Sequence, residues 1–225
     1  MTEREKALLK HKYGDSKFLL AVHCLGKYIK DIYHPSDSSK KIIICGENNH
    51  IPYVPEGCGV RIFGKNNILE IDPSVKSWNG DINIGNFDYL VDGCYIRIGK
   101  KCSSNGTNIV LGDNGSSVII GDECMFSWGI NIWASDTHSV FLQGTGEMIN
   151  WGKEVFIGNH VWLGMHSTVL KNSYIADNSI VGAYGVVAKQ FKEPGCVLAG
   201  NPAKVVKRGI TWSPERPNDF KHKAP

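Results

Sequence analysis

The strongest constraint on this chain is a six-residue repeat that begins at Ile157 and continues in phase to Phe191. An aliphatic residue leads each hexad, at Ile157, Leu163, Val169, Ile175, Val181 and Val187. The second place is usually Gly or Ala, and the fifth is small or β-branched. Repetition at a fixed period is the signature of a solenoid whose neighbouring units share one core. Because each hexad supplies one short strand and one corner, three hexads predict one turn of a triangular β-coil.

A looser form of the same pattern occurs upstream and includes Ile84, Leu90, Ile96, Ile98, Ile120, Phe126 and Ile132. We expect the solenoid to start near residue 40 or 60. The segment 1–40 has apolar residues at spacings of three and four, which predicts a small helical segment. The expected organisation is therefore a helical segment (1–40), a hexapeptide-repeat β-helix (41–208) and a tail (209–225).

The repeat is interrupted at 133–152, and this stretch predicts a loop extruded from the solenoid. Loops on rigid scaffolds often carry function. His138 is the one histidine of eight that lies in this loop. An imidazole can both accept and return a proton near neutral pH, which suits a general base, and Asp136 is placed to orient the ring or stabilise its charge. The alternative is an ordinary surface histidine.

Trp162 occupies the outward sixth place of its hexad. Its flat ring and its N–H donor suit the positioning of a substrate, or the packing of subunits. Both interpretations stay open.

Small residues and cations mark a candidate ligand-binding groove. Gly164, Gly182 and Ala183 lie at tight corners, where small side chains expose backbone amides. Lys189, Lys204, Lys207 and Arg208 gather towards the end of the repeat and suit phosphate groups. A solvated cationic face is the alternative for any one of these lysines.

Composition excludes several classes of protein. The net charge is only +3, so no overall basic field indicates a nucleic-acid partner. No apolar stretch is long enough to span a membrane, and the N-terminus lacks the apolar core of a signal peptide, so we expect a cytoplasmic protein.

The seven scattered cysteines are typical of small buried residues. His160 and His166 share the fourth place of successive hexads, but residues one hexad apart fall on different faces, so we expect no metal site.

Three segments carry a resemblance to a known family: Trp133–His138, Gly152–Gly164 and Ala199–Lys207. In them the chain resembles the hexapeptide-repeat acyltransferases, which form left-handed parallel β-helices. It is most similar to the sugar and polysaccharide O-acetyltransferase branch, which includes capsular sialic acid O-acetyltransferases. The resemblance covers roughly residues 84–208. Ser139 departs from the pattern, because many members have proline after the histidine.

The resemblance implies an all-β, left-handed parallel β-helix that forms a homotrimer, with acetyl-CoA bound in a groove between adjacent subunits. Under the resemblance, the small corners and cations above bind acetyl-CoA, the long carrier of the acetyl group, and Trp162 positions the acceptor or the thioester. Family position adds Ala183, Ala188 and Pro202 as contacts for this carrier, and it supports His138 as the base. The expected reaction is acetyl transfer from acetyl-CoA to a saccharide hydroxyl, for example of sialic acid or another surface polysaccharide unit. Two alternatives stay open: an N-acetyltransferase acting on an amino-sugar nucleotide, and a non-catalytic β-helix assembly protein.

Overall fold

The computed structural model describes residues 42–86, 88–152 and 154–217. The helical segment predicted before residue 41 lies outside these ranges. Within them the chain forms strands β1 (Ile42–Cys45), β2 (Glu56–Lys65), β3 (Ile68–Ile71), β4 (Ser77–Ile84), β5 (Val91–Asp92), β6 (Tyr95–Ile98), β7 (Ser103–Leu111), β8 (Ser117–Ile120), β9 (Met125–Phe126), β10 (Ile130–Trp133), β11 (Val155–Ile157), β12 (Trp162–Leu163), β13 (Thr168–Leu170), β14 (Tyr174–Ile175), β15 (Ile180–Val181), β16 (Val186–Val187), β17 (Gln190–Phe191), β18 (Val197–Ala199) and β19 (Lys204–Lys207).

These strands form a parallel β-helix with three faces around one core. Face 1 holds the stack β9, β12, β15 and β18, and face 2 holds β10, β13 and β16. Face 3 holds β3, β6, β8, β11, β14 and β17. Ile157 lies beside Ile175, three hexads later in the chain, and the six leading hexad residues are all fully buried. The predicted all-β hexapeptide-repeat fold is therefore confirmed.

Upstream of the regular hexads the strands are longer and cross from one face to the next. Strand β7 pairs with β9 on face 1 through Ser103 and Ser104, and with β10 on face 2 from Thr107 onwards. Faces 1 and 2 consequently form one continuous sheet here. This continuity explains why the six-residue frame is weak before residue 120.

One predicted core position is wrong. Leu90 is 69% exposed, and its neighbour Val91 is buried in its place. The cause is a local turn in which the Asn86 side-chain oxygen accepts the N–H groups of Asp88 and Tyr89. This turn takes up an additional residue, so the inward position moves by one.

The corners of the regular coils share a left-handed backbone conformation at the fourth place of each hexad. The φ angle lies between 53° and 64° at His160, His166, Asn172, Asn178 and Tyr184. Residues other than glycine rarely adopt this conformation, and asparagine tolerates it best. The fourth-place histidines therefore occupy successive corners, on either side of β12, and these corners belong to different edges of the solenoid.

Candidate active site

The extruded loop leaves the solenoid after β10 and returns at β11, so it projects from the edge between faces 2 and 3. Its two arms meet through an antiparallel bridge between Phe141 and Met148. The Ile149 N–H also donates to the Val140 carbonyl over 2.9 Å. Every residue of the range 138–147 is exposed. Packing against the core therefore contributes little to the position of this part of the loop.

Hydrogen bonds fix the short segment that presents His138. Ser135 is buried, and its Oγ accepts the Thr137 N–H over 2.9 Å. Thr137 has a φ of 59°, which is unusual for a β-branched residue. The Asn150 Nδ2 donates to the His138 carbonyl over 2.7 Å. His138 itself is exposed, so its imidazole is accessible to a substrate.

Asp136 is joined to the solenoid through Lys171, which directly follows β13. The Asp136 Oδ2 lies 2.7 Å from the Lys171 Nζ and accepts a hydrogen bond from the Asn150 Nδ2 over 2.8 Å. Burial by itself would raise the pKa of Asp136, but the bonds from Lys171 and Asn150, with the Lys171 charge, outweigh it and lower that pKa below its usual value. Asp136 is therefore ionised at neutral pH. Across the described ranges, no hydrogen bond joins its carboxylate to the His138 ring.

A cleft of about 280 Å³ opens beside this segment. It is lined by Asp136, Val140, Ile149, Asn150, Trp151, Lys171 and Asn172. Trp151 is 64% exposed and gives the cleft an aromatic wall. Sites for small molecules commonly combine apolar walls with a few fixed polar groups. The cleft is therefore a candidate for the acceptor, on the same edge of the solenoid as His138.

Trp162 is the first residue of β12 on face 1, where its side chain points outward and is partly exposed. Its indole lies near that of Trp212 in the tail, with ring centroids 6.0 Å apart. Trp212 also stacks on the His160 ring at 4.2 Å and donates from its Nε1 to the His160 carbonyl over 2.8 Å. The tail thus folds back onto the edge between faces 3 and 1. Within one chain, Trp162 and His138 consequently lie at different edges.

Four of the predicted carrier contacts share the edge between faces 1 and 2. Gly164 and Gly182 follow β12 and β15, Ala183 comes next, and Pro202 follows β18. The Gly164 N–H donates to the Val181 carbonyl over 2.7 Å, which holds two coils together at this corner. A Cβ at Gly164 would lie 2.8 Å from the Ala183 backbone nitrogen, so this corner requires glycine.

The remaining predicted carrier contacts lie elsewhere on the last coils. Ala188 and Lys189 follow β16 and belong to the edge that carries the extruded loop, and both are exposed. The Lys189 ammonium lies 5.2 Å from the centroid of the Phe191 ring. Lys204 and Lys207 are exposed in β19, which pairs antiparallel with β18. One chain therefore distributes the predicted carrier contacts over two edges and the C-terminal strand.

Two kinds of structure do not occur in the described part of the chain. No group of three or more His, Cys, Asp or Glu side chains is arranged to hold a metal ion there. No helix in those residues is long and apolar enough to cross a membrane.

Known proteins resemble this chain over most of its length. A family model described as bacterial transferase hexapeptide (six repeats) matches residues 154–189. The polysialic acid O-acetyltransferase of Neisseria meningitidis is 37% identical over 180 residues, which are 78% of this chain and 80% of that protein. This chain belongs to the hexapeptide-repeat acetyltransferases. As a member of that family it is an acetyltransferase enzyme.

Solved structures of acetyltransferases agree with this assignment. The polySia specific acetyltransferase NeuO has a TM-score of 0.62 at 29% identity, covering 82% of this chain and 76% of NeuO. The polysialic acid O-acetyltransferase OatWY has a TM-score of 0.50 at 29% identity, covering 83% of this chain and 91% of OatWY.

Three residues of the candidate site were not predicted from the sequence: Asn150, Lys171 and Trp212. Each makes its contact across a long stretch of chain. The Lys171 Nζ bonds to the Asn150 carbonyl 21 positions away, and Trp212 bonds to His160 52 positions away. One signal was available for Lys171. It occupies the outward third place of a hexad at the corner one coil beyond the extruded loop.

Proposed function

We propose that this chain transfers an acetyl group from acetyl-CoA to a hydroxyl group of a saccharide, with His138 as the general base. It acts in the cytoplasm as a homotrimer whose active sites lie between adjacent subunits. The observation that carries the proposal is the exposed His138 on a hydrogen-bonded segment beside a cleft of about 280 Å³. The 37% identity to a polysialic acid O-acetyltransferase supports the reaction class.

His138 is suited to both proton transfers of this reaction. Its neutral imidazole accepts the proton of the acceptor hydroxyl while the hydroxyl oxygen bonds to the thioester carbonyl carbon. The C–S bond then breaks, and the imidazolium returns the proton to the departing sulfur. The products are an acetyl ester and the free thiol of CoA. An imidazole serves both steps because its ring nitrogen can bind a proton and release it again.

The position of Trp162 supports a site shared between subunits. In one chain Trp162 and His138 lie at different edges, so a neighbouring chain must bring the two together. Trp162 then positions the acceptor or the thioester. The small, exposed Ala183 leaves the surface of the edge between faces 1 and 2 accessible to a narrow carrier, and the exposed ammonium groups of Lys189, Lys204 and Lys207 suit its phosphates.

The acceptor we propose is a sialic acid unit of a polysaccharide. Two relatives with high coverage, from Neisseria meningitidis and in the OatWY structure, are named for polysialic acid. The fixed polar groups and the aromatic wall of Trp151 suit a ring that carries several hydroxyl groups.

The decisive assay supplies labelled acetyl-CoA to oligosialic acids, galactosides and amino-sugar nucleotides and identifies the products by mass. We expect an ester, which mild alkaline hydroxylamine removes, on the oligosialic acid. His138→Ala lowers kcat by about a hundredfold or more, because the reaction loses its base. His50→Ala is the matched control, since His50 is an exposed histidine of the first coils and keeps full activity.

Each other outcome contradicts a defined part of the proposal. Full activity in His138→Ala eliminates His138 as the base. An amide product on an amino-sugar nucleotide favours N-acetyl transfer. Failure to bind acetyl-CoA at about 1 mM, the upper end of ordinary KM values, favours an assembly protein.

Mixed oligomers test the shared site. His138→Ala and Trp162→Ala subunits, each strongly impaired alone, recover activity when they are co-assembled, because some interfaces then combine two native residues. Recovery in none of the mixtures refutes a site built from His138 of one subunit and Trp162 of another.

A further inference from the structure

The side chain of Asn150 holds the segment around His138 at three points. Its Nδ2 donates to the His138 carbonyl over 2.7 Å and to the Asp136 Oδ2 over 2.8 Å. Its Oδ1 accepts the Val140 N–H over 2.7 Å. Both ends of one amide group are therefore used, and they bond on each side of His138. The backbone that carries the imidazole is fixed from the opposite arm of its own loop.

Lys171 ties this arrangement to the solenoid. Its Nζ lies 2.7 Å from the Asp136 Oδ2 and donates to the Asn150 carbonyl over 2.5 Å. The Lys171 side chain is only 15% exposed. It directly follows β13, which pairs with β10 and β16 on either side. A rigid coil thus supplies the anchor for a loop whose own residues are exposed.

We propose that Lys171 and Asn150 are positioning residues, which hold the backbone of Asp136–His138 where the His138 ring meets the acceptor hydroxyl. This inference rests on the proposed role of His138 as the base. Together with Asp136 these two residues form a hydrogen-bonded group, which we call the latch: Asp136, Asn150 and Lys171. The Asp136 carboxylate oxygen bonds to the other two members of the latch, and so Asp136 acts on the position of His138 through the backbone.

The need for such a latch follows from the geometry of proton transfer. A base must come within about 2.6–3.2 Å of the atom whose proton it takes. A displacement of about 1 Å can reduce the rate by about a hundredfold. Because the range 138–147 is exposed, contacts with the core do not provide this accuracy, and the latch does.

The test replaces Lys171 and measures kcat and KM for acetyl-CoA separately. Lys171→Met keeps most of the length of the side chain but removes its charge and donors. We expect kcat to fall by about 10- to 100-fold while KM for acetyl-CoA stays within about twofold, since the lost interaction orients the base. Lys171→Arg restores kcat to within about fivefold of the native value, because a guanidinium can bond to the same two oxygens.

Two further variants complete the design. Asn150→Asp removes the amide donors and places a second carboxylate beside Asp136, so its kcat falls at least as far as that of Lys171→Met. Lys101→Met is the matched control. It removes an exposed ion pair of 3.1 Å with Glu123, at an edge without the loop, and leaves kcat unchanged.

The outcomes separate this inference from the proposed function. Native kcat in Lys171→Met, while His138→Ala is inactive, overturns the latch and leaves the base intact. The latch is also overturned if Lys171→Met lowers kcat, raises KM and lowers the melting temperature together, and Lys171→Arg does not restore them. That pattern indicates a merely structural lysine. Full activity in His138→Ala refutes the proposed base itself, whatever Lys171→Met does.

Discussion

The column of buried residues on face 3 allows one prediction to be worked through. Ile120 is fully buried and lies between Ile98 and Ile157 of the adjacent coils. The preceding residue, Ile119, points outward on the same strand and is half-buried. Replacing each by alanine removes the same three carbons from opposite sides of β8. The pair therefore separates core packing from strand propensity.

Ile120→Ala is expected to lose three to four times as much free energy of unfolding as Ile119→Ala. At about 0.8 kcal/mol for each buried carbon, Ile120→Ala loses about 2.4 kcal/mol of transfer free energy. The adjacent coils are held by their own ladders and collapse only partly, so a residual cavity of roughly 50 Å³ adds about 1.2 kcal/mol. The total is about 3.6 kcal/mol. Ile119→Ala loses only strand propensity and partial burial, about 1 kcal/mol.

Thermal unfolding at one fixed protein concentration measures the difference. For a chain of this size about 1 kcal/mol lowers the melting temperature by about 2–4 °C. Ile120→Ala is therefore expected to melt about 7–14 °C below the native protein, and Ile119→Ala about 2–4 °C below it. Melting temperatures of the two variants that agree within about 2 °C refute the inward and outward assignment of β8.

Two other predictions concern the loop and the tail. Thr137→Asn relieves a β-branched residue held at a φ of 59° and raises stability by about 0.5–1 kcal/mol; a lower melting temperature contradicts this. Trp212→Ala loses the 4.2 Å stack on His160 and a hydrogen bond, and lowers stability by about 1–2 kcal/mol. Trp212→Phe keeps the stack and is expected to lose about half as much, whereas an unchanged melting temperature for Trp212→Ala shows that the tail does not stabilise this edge.

The coils from Ile157 to Val187 could be predicted because their information is local. A leading aliphatic residue and a left-handed corner recur within every six residues, and neither depends on a distant partner. The extruded loop could be predicted for the same reason, because the six-residue repeat is interrupted there. Leu90 shows the limit of this reasoning. The turn at Asn86 contains one additional residue, so the inward position moves from Leu90 to Val91. The length of a turn cannot be predicted from the periodicity of the strands.

The contacts inside the candidate site could not be predicted in the same way. His138 and Asp136 stood out through the interrupted repeat and the family resemblance. Asn150 and Lys171 did not, because their bonds depend on how the two arms of the loop return to the solenoid. The Trp212 contact depends on the path of the tail after β19. In each case the partner is set by the course of an irregular segment, which carries no repeat.

The antiparallel strand β19 has a consequence for how this protein behaves in a crowded solution. A parallel solenoid ends in a row of unpaired backbone groups, which is a template for end-to-end growth into fibres. On face 1 that row belongs to β18, and β19 covers it in the reversed direction. The covering strand carries Lys204 and Lys207, which are exposed charges of the kind that discourage a further strand. On this face β19 therefore blocks the end-to-end addition of a second molecule.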